Sequence, residues 1–338
     1  MSRSKYILKK IAFAVLIVVG VVIFNFFLFR IMPSDPIKLI FNDPRISKES
    51  QEKLRESFGL DKPVWFDQEK FQQGDYIGAF DTQFVTYIDN LLHGELGVSF
   101  TRRIDVKELL AKRVGNSLIL VLSGTFIAIL LGIVFGLFSA WKRGSRFDIS
   151  LLLVALFTTS LPAFFLGIVL IIFAGKYLAF GGMTSPQVYP TDGITYWIDL
   201  AKHLALPALT LAIVEMGAYY MVMRSSVVDI LSDDFILTAK AKGFNDFQIL
   251  RDHAFKNAML PMVTIIAINL AYTVAGSIQI ETVFSWPGIG QLMFEAVKMQ
   301  DYPVLQGSFL LIAVSVVLAN LLADLLYSLI DPRVKSDG

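Results

Sequence analysis

The sequence predicts an all-α integral membrane protein with six spanning helices, and three observations carry the prediction. Hydrophobic residues fill 55% of the 338 positions and charged residues 17%, with a mean hydropathy of +0.61, too apolar for a chain of this length to fold in water. Six stretches can cross a hydrocarbon core of about 30 Å, which takes around 20 residues at roughly 1.5 Å each. They are residues 11–31, 117–140, 149–174, 204–223, 259–280 and 307–330. The basic residues between them are unequally shared. Arg3, Lys5, Lys9, Lys10, Lys142, Arg143, Arg146, Arg224, Lys240, Lys242, Arg251, Lys256, Arg333 and Lys335 fall on one side, whereas the short loops of the other side carry Lys176, Lys202 and Lys298. Both termini are therefore expected inside.

In chain order, residues 1–31 form a basic segment and the first crossing. That crossing is too long for the apolar core of a signal peptide and runs into Arg30-Ile31-Met32-Pro33 with no small-residue cleavage site, so it is read as a retained anchor. Residues 32–116 form an extracytoplasmic segment, with a helix expected from Ser47 to Gly59 and another from Phe84 to Leu92. Asp105 and Glu108 make a capping-box pattern ahead of Val106, Leu109, Leu110 and Val114, an amphipathic stretch expected to lie on the membrane surface. Residues 117–330 hold five more crossings, and 331–338 a cytoplasmic tail. Residues 175–203 and Trp286-Pro287-Gly288-Ile289-Gly290 read as irregular external loops.

The polar interruption of residues 224–258 is the most informative part of the chain. It reads as two short helices meeting at Gly243. The first has Ser232 at its N-cap, Asp233 and Asp234 in its first turn, Lys240 and Lys242 in its last, and Gly243 past its end. The second opens with Asn245 three residues before Gln248, a capping box. A first helix of about ten residues is below the ~12–15 that are marginal in water, yet it carries Phe235, Ile236, Leu237, Ala239 and Ala241. It needs something to bury that surface against, either a partner or its own membrane domain.

Several chemistries have no sequence support. There is no GxxxxGK[ST] loop, no HExxH and no GxSxG elbow, and the three histidines, His93, His203 and His253, are spread over both sides of the membrane. A net charge of +1 without a basic stripe gives nucleic acid nothing to bind, and the absence of cysteine removes disulfides and thiol chemistry. What remains are polar residues in or near the spans: Asn25, Glu215, Asn269, Tyr272, Gln279, Asn320 and Asp324. Glu215 lies nine residues before Arg224, about 13 Å by helical rise, so near mid-membrane. A carboxylate there either contacts solute in a pathway or is kept protonated or hydrogen-bonded to a neighbouring helix. Asn269, Gln279 and Asn320 suit interhelical hydrogen bonds, and Asp324 suits capping or pairing near the inner face.

The run TAKAKGF from Thr238 to Phe244, continuing to RDHAFKNAMLP at Pro261, resembles the EAA loop of permease subunits in binding-protein-dependent ABC importers, closest to the dipeptide and oligopeptide class that includes nickel and some oligosaccharide systems. Where the wider pattern has an acid and two alanines, this chain has Leu237, Thr238 and Ala239. Further blocks agree: ETVFSWPGIGQL from Glu281 to Leu292 followed by Asp301-Tyr302-Pro303, and NLLADLLYSLIDPRV from Asn320 to Val334. FGLDKP at Phe58 to Pro63 and LLHGELGVSF at Leu91 to Phe100 match the first (B-type) of the two peptide-class permeases. Two departures, an apparent insertion over residues 67–82 and the acid at Glu215, leave the solute open.

The resemblance implies a type I importer permease of MetI-like fold, with Asp234, Phe235, Leu237, Thr238, Ala239, Lys240, Lys242, Gly243 and Phe244 forming the coupling surface for an ATPase. It implies a second homologous permease, one or two ABC ATPase subunits and an extracytoplasmic solute-binding protein, for which residues 32–116 with the insertion are the expected contact. ATP and Mg2+ would sit on the partner subunits, with no cofactor, metal or catalytic residue on this chain. Glu215, Asn269, Tyr272 and Gln279 are the candidate pathway residues. The alternative, a self-sufficient transporter or channel with Glu215 as a relay, would call for inverted repeats with broken helices, and the sequence suggests neither.

Overall fold

The computed structural model describes residues 3–31, 61–272 and 277–330. Among these residues every extended element is a helix, and the one β interaction is an isolated bridge between Val98 and Asp105. The helices are α1 (Arg3–Ile31), α2 (Gln68–Gln72), α3 (Gln83–Leu92), α4 (Val106–Trp141), α5 (Arg146–Ser160), α6 (Ala163–Ala174), α7 (Ile194–Leu231), α8 (Asp234–Ala241), α9 (Asp246–Gln248), a π-helical segment Ile249–Ala254, α10 (Phe255–Tyr272), α11 (Ile278–Val283), α12 (Ile289–Met299) and α13 (Tyr302–Ile330). Four of these, α1, α4, α7 and α13, contain a stretch long and apolar enough to cross a membrane, and α5 with α6 make a fifth crossing if the bent pair counts as one. The predicted crossing 259–280 is represented by α10 and the start of α11, with residues 273–276 outside the described residues. The helix predicted from Ser47 to Gly59 also lies outside them.

Three predicted boundaries are corrected. Residues 149–174 were expected to make one straight crossing, but α5 and α6 meet at 107°. Proline disfavours the helical conformation in the residue before it, and Leu161, ahead of Pro162, is extended at φ −79°, ψ 134°. Hydroxyls then take up helix-end carbonyls: Thr159 Oγ1 donates to Ala155 O (2.9 Å) and Ser160 Oγ to Leu156 O (2.8 Å). A broken helix is therefore present where none was foreseen. α7 runs from Ile194 to Leu231, well past the predicted 204–223, because amphipathic turns flank its apolar middle. Val106, Leu109 and Leu110 are buried in the first turns of the continuous helix α4, so they do not form a separate surface helix.

The described residues fall into two compact units, residues 114–291 with the chain from 318, and residues 4–113 with 292–317. In the first unit α4 and α7 run parallel in fixed register. A Cβ added at Gly124 would meet Leu211, at Gly132 Tyr219, and at Gly136 Met223, with nearest distances of 2.7, 2.5 and 2.7 Å. Gly132-Ile-Val-Phe-Gly136 is a GxxxG spacing, which lets backbones approach where lipid supplies no hydrophobic drive for helices to pair. Gly217 of α7 gives α5 the same access, with Ala155 O 2.8 Å from its would-be Cβ. Around these contacts Ala128, Ala212, Met216, Tyr219, Met223, Ala254, Ala258 and Met262 form a continuous core.

The second unit is built on the C-terminal end of α1. Phe26 is fully buried against Phe84 and Tyr87, and Asn25 Nδ2 donates to Gln306 O (3.1 Å) and Tyr87 OH (3.4 Å), an interhelical use of that asparagine. Val106, Leu109, Leu110, Leu292, Ala296, Val304 and Leu305 make its core. α3 starts at Gln83, one residue before the expected Phe84, and is capped by Thr82 Oγ1, which accepts from Val85 N at 3.3 Å.

Candidate coupling and translocation sites

α8 is a short, exposed helix held to its own chain along one edge. Ser232 ends α7 and does not cap α8; its Oγ donates to Val228 O (3.0 Å), and Asp233, extended at φ −76°, ψ 148°, takes the N-cap place without a side-chain bond. The prediction put the boundary one residue early because α7 continues through the polar sequence after Arg224. Ile236 and Ala239 are buried together with Ile249, against Ile230 and Leu231, so the apolar surface divides. Phe235 (41% exposed) and Leu237 (65%) remain open, with Asp234, Thr238, Lys240, Lys242 and Phe244 also exposed. Ala239, expected to face a partner, is covered by its own chain instead.

Gly243 has φ +86°, the left-handed conformation that an L side chain resists, and it turns the chain at the end of α8. The capping box forms as read: Asn245 N donates to Gln248 Oε1 and Gln248 N to Asn245 Oδ1, both at 2.9 Å. The second helix is not short. It passes through the π-helical segment directly into α10, and Leu250 and Ala254 bury there in the first unit's core. His253 lies edge-on to Phe244 at 5.6 Å, while Arg251 grips Asp252 with two hydrogen bonds of 2.8 Å and holds that carboxyl below its ordinary range.

About two turns before the end of α7, Arg224 joins three elements. Its Nε and Nη2 donate to the Asp148 carboxylate at 2.6 and 2.8 Å. The same carboxylate accepts from Ser139 Oγ near the end of α4 (2.5 Å) and from Gly144 N in the turn (2.9 Å), and Tyr220 OH lies 2.7 Å from Ser139 Oγ. The helix leading into α8 is thus bolted to the α4–α5 hairpin. In the sequence Arg224 stands out only as a topological charge, and Asp148 belongs to no motif. The GxxxG spacing was an available signal for the neighbouring contact, whereas the pairing of Asp148 with Arg224 spans 76 positions and has none.

Deeper in the same unit is a polar seam. Thr125 Oγ1 donates to Glu215 Oε2 (2.8 Å), and one helical turn further along α7 Tyr219 OH accepts from Asn269 Nδ2 (2.9 Å). Three helices, α4, α7 and α10, contribute; of the four pathway candidates Glu215 bonds Thr125 and Asn269 bonds Tyr219, one turn apart along α7. Gln279 is exposed on α11 and outside this seam, and the Tyr272 side chain lies outside the described residues, as does Asp324.

Two further carboxylates organise the motifs. Glu281 is fully buried, accepting from Ser117 Oγ (2.7 Å) and Gln291 N (3.1 Å), while Trp286 Nε1 donates to Asn116 O and Asn116 Nδ2 to Pro287 O, both at 2.8 Å. The WPGIG turn is therefore closed on the start of the second crossing. In the other unit Asp301 accepts from Ser99 Oγ (2.5 Å), Thr101 Oγ1 (2.6 Å) and the N–H groups of Phe100 and Thr101 (3.1 Å each). That bond set brings LGVSF and DYP, about 200 residues apart, onto one side chain. Of the two segments read as irregular, 286–290 is closed by its bonds to Asn116 and Ser117, and the last ten residues of 175–203 are already helical as the start of α7.

Among the described residues, membrane-length helices are interrupted by the short capped helix α8. The chain belongs to the family described as the inner membrane component of binding-protein-dependent transport systems, which matches residues 132–336, and the N-terminal membrane component of such systems matches residues 3–121. It is a multi-pass inner-membrane permease of MetI-like fold. Among its relatives are the dipeptide transport system permease protein DppB of Escherichia coli (strain K12), 33% identical over 350 residues covering 98% of each chain, and the oligopeptide transport system permease protein AppB of Bacillus subtilis (strain 168), 32% identical over 339 residues covering 98% of this chain and 99% of that one. A putative peptide permease protein of Brucella suis biovar 1 is 36% identical over 336 residues, again 98% and 99% of the two chains. The similarity to B-type peptide permeases runs the whole length, as the motifs implied.

Proposed function

We propose that this chain forms the translocation pathway of an ATP-driven importer for peptides or a related solute, such as a nickel complex or an oligosaccharide, together with a second homologous permease. One or two kinds of ABC ATPase subunit would drive it from the cytoplasm, where both termini lie, and a solute-binding protein would deliver solute from outside to the segment 32–116. ATP and Mg2+ act on the ATPase subunits; this chain contributes no catalytic group.

The observation that carries the reading is α8. It is eight residues long, anchored by Ile236 and Ala239 to its own chain, and it presents Phe235 and Leu237 outward beside Lys240 and Lys242. An ATPase cleft closing on those side chains would push on α8. Gly243 fixes its exit angle, and α7 carries the displacement through Arg224 to the α4–α5 hairpin, tipping the spans between inward-open and outward-open states. Glu215 and Asn269, with Tyr272 and Gln279 as further candidates, would line the route. The hydrogen bond from Thr125 supports a Glu215 that is already partnered in the resting chain.

The test is purification from the native membrane in mild detergent through a tag placed after Gly338, with mass spectrometry of what accompanies it. Recovery of a second permease and one or two ATPase chains is expected. A chain that comes out alone and transports by itself after reconstitution would overturn the proposal and favour the relay reading of Glu215.

A further inference from the structure

The lobe between Lys62 and Thr82, which contains the apparent insertion 67–82, is compact in spite of its size. Asp67 caps α2 by accepting from Glu69 N and Lys70 N at 3.1 Å, Asp67 N donates to Ala79 O at 3.0 Å, and Ala79 is fully buried. Lys62 Nζ donates to Asp81 Oδ1 at 2.6 Å and keeps that carboxyl below its usual range, closing the lobe at its base. What this frame displays is aromatic. Phe66, Phe71, Tyr76 and Phe80 form a chain of ring contacts 5.2–5.6 Å apart, all of them exposed, and Ile77 at the tip is 89% exposed. A soluble surface seldom presents such a contiguous apolar group unless something covers it.

Its place along α1 identifies the cover. Trp65 packs on Phe27 of α1 at 5.3 Å and on Phe84 at 4.8 Å. Phe27 is four residues from the end of α1, about 6 Å by helical rise, and Arg30 lies over the Phe26 ring at 5.5 Å, a cation at the outer end of the apolar stretch Ile7–Arg30. The lobe is therefore tethered at the depth where a spanning helix leaves the hydrocarbon for the headgroups. Tryptophan and tyrosine concentrate at that depth because a ring with one polar edge is satisfied on both sides of it. Trp65 itself stays half exposed while it packs on Phe27, and on the same helix Phe24 and Leu28 are exposed too, so the lobe's apolar side chains and those of the membrane-crossing helix share one tether.

We propose that the 62–82 lobe is an interfacial anchor whose Trp65, Phe66, Phe71, Tyr76, Ile77 and Phe80 side chains sit in the outer-leaflet headgroup region, the occupant being the bilayer itself and not the solute-binding protein expected from sequence. The lobe then fixes the tilt and depth of α1.

The chain has no cysteine, so single labels are clean. Ile77→Cys, Tyr76→Cys and, as a polar position of the same lobe, Gln73→Cys would each carry an environment-sensitive fluorophore on the full chain in lipid nanodiscs. Expected at 76 and 77 is a blue-shifted emission, quenching by a nitroxide placed near the lipid headgroup, and loss of quenching by aqueous iodide relative to position 73. Iodide quenching equal at all three positions with no effect of the lipid nitroxide would overturn the anchor. Shielding that appears only when the cognate solute-binding protein is added would overturn it in favour of a protein contact.

Discussion

Replacing Asp148 with alanine tests the bolt between α7 and the α4–α5 hairpin. The Asp148 side chain is 3% exposed and that of Arg224 23%, so the substitution strips a partly buried guanidinium of its carboxylate, leaves Gly144 N without its acceptor and leaves Ser139 Oγ only Tyr220 OH as a partner. Breaking a buried pair by removing one partner costs roughly 3–5 kcal/mol, and the partial exposure of Arg224 puts this case at the low end, about 3 kcal/mol. That is about a hundredfold in the folded-to-unfolded ratio. The assay is equilibrium unfolding of the full chain in mixed micelles with rising SDS, followed by tryptophan fluorescence, on Asp148→Ala, Arg224→Ala and the double variant. Because both single changes destroy the same interaction, the double variant should lose about 2 kcal/mol less than the sum of the singles. Additive losses would refute the argument that the two residues act as one connection.

Gly132→Ala should separate α4 from α7, since its Cβ would lie 2.5 Å from that of Tyr219 and 3.0 Å from the Tyr220 nitrogen; a loss of about 1–3 kcal/mol in the same assay is expected, whereas Gly115→Ala, with open space, should be silent. Leu237→Ser should abolish co-purification of ATPase subunits without destabilising the chain, while Ile236→Ala should cost about 2–4 kcal/mol because that side chain is buried against Ile249. Gly243→Leu, forced to φ +86°, should insert normally and fail in transport; normal uptake would count against the coupling corner. Glu215→Gln keeps the Thr125 hydrogen bond, so it should preserve stability and shift uptake only of solutes bearing a cationic group, as measured by competition with neutral ones.

The helical class was legible because apolar runs are local, and so were the turn at Gly243 and the Asn245/Gln248 capping box, which need only residues three apart. The bend at Leu161 was also written locally, in Pro162, but the unbroken apolar run on both sides concealed it. Ends of α7 were missed because hydropathy marks where lipid is, not where a helix stops, and the turns around Trp197 and Asp229 are amphipathic. The interior of the site was largely illegible. Asp148 with Arg224, Asp301 with Ser99 and Glu281 with Ser117 pair side chains 76 to 202 positions apart, and nothing in a local window tells a structural carboxylate from a solvated one. The same holds for the division of the α8 surface, since Ile236 and Leu237 look alike until Ile249 is brought against one of them.

The 107° elbow between α5 and α6 carries a dielectric consequence. Neither arm alone can traverse the hydrocarbon: fifteen residues reach about 22 Å and twelve about 18 Å, against a core of about 30 Å. Where the bent pair makes one crossing, the corner at Leu161 sits within the apolar slab, at most about 22 Å from the start of α5, with helix-end amides and carbonyls that lipid tails cannot solvate. The close approach of Gly217 to Ala155 and Thr159 shields one flank with protein. On its other flank the corner has to meet either more protein or water, so a lipid tail is excluded there, and the proline that breaks the helix also fixes where the low-dielectric slab must be interrupted.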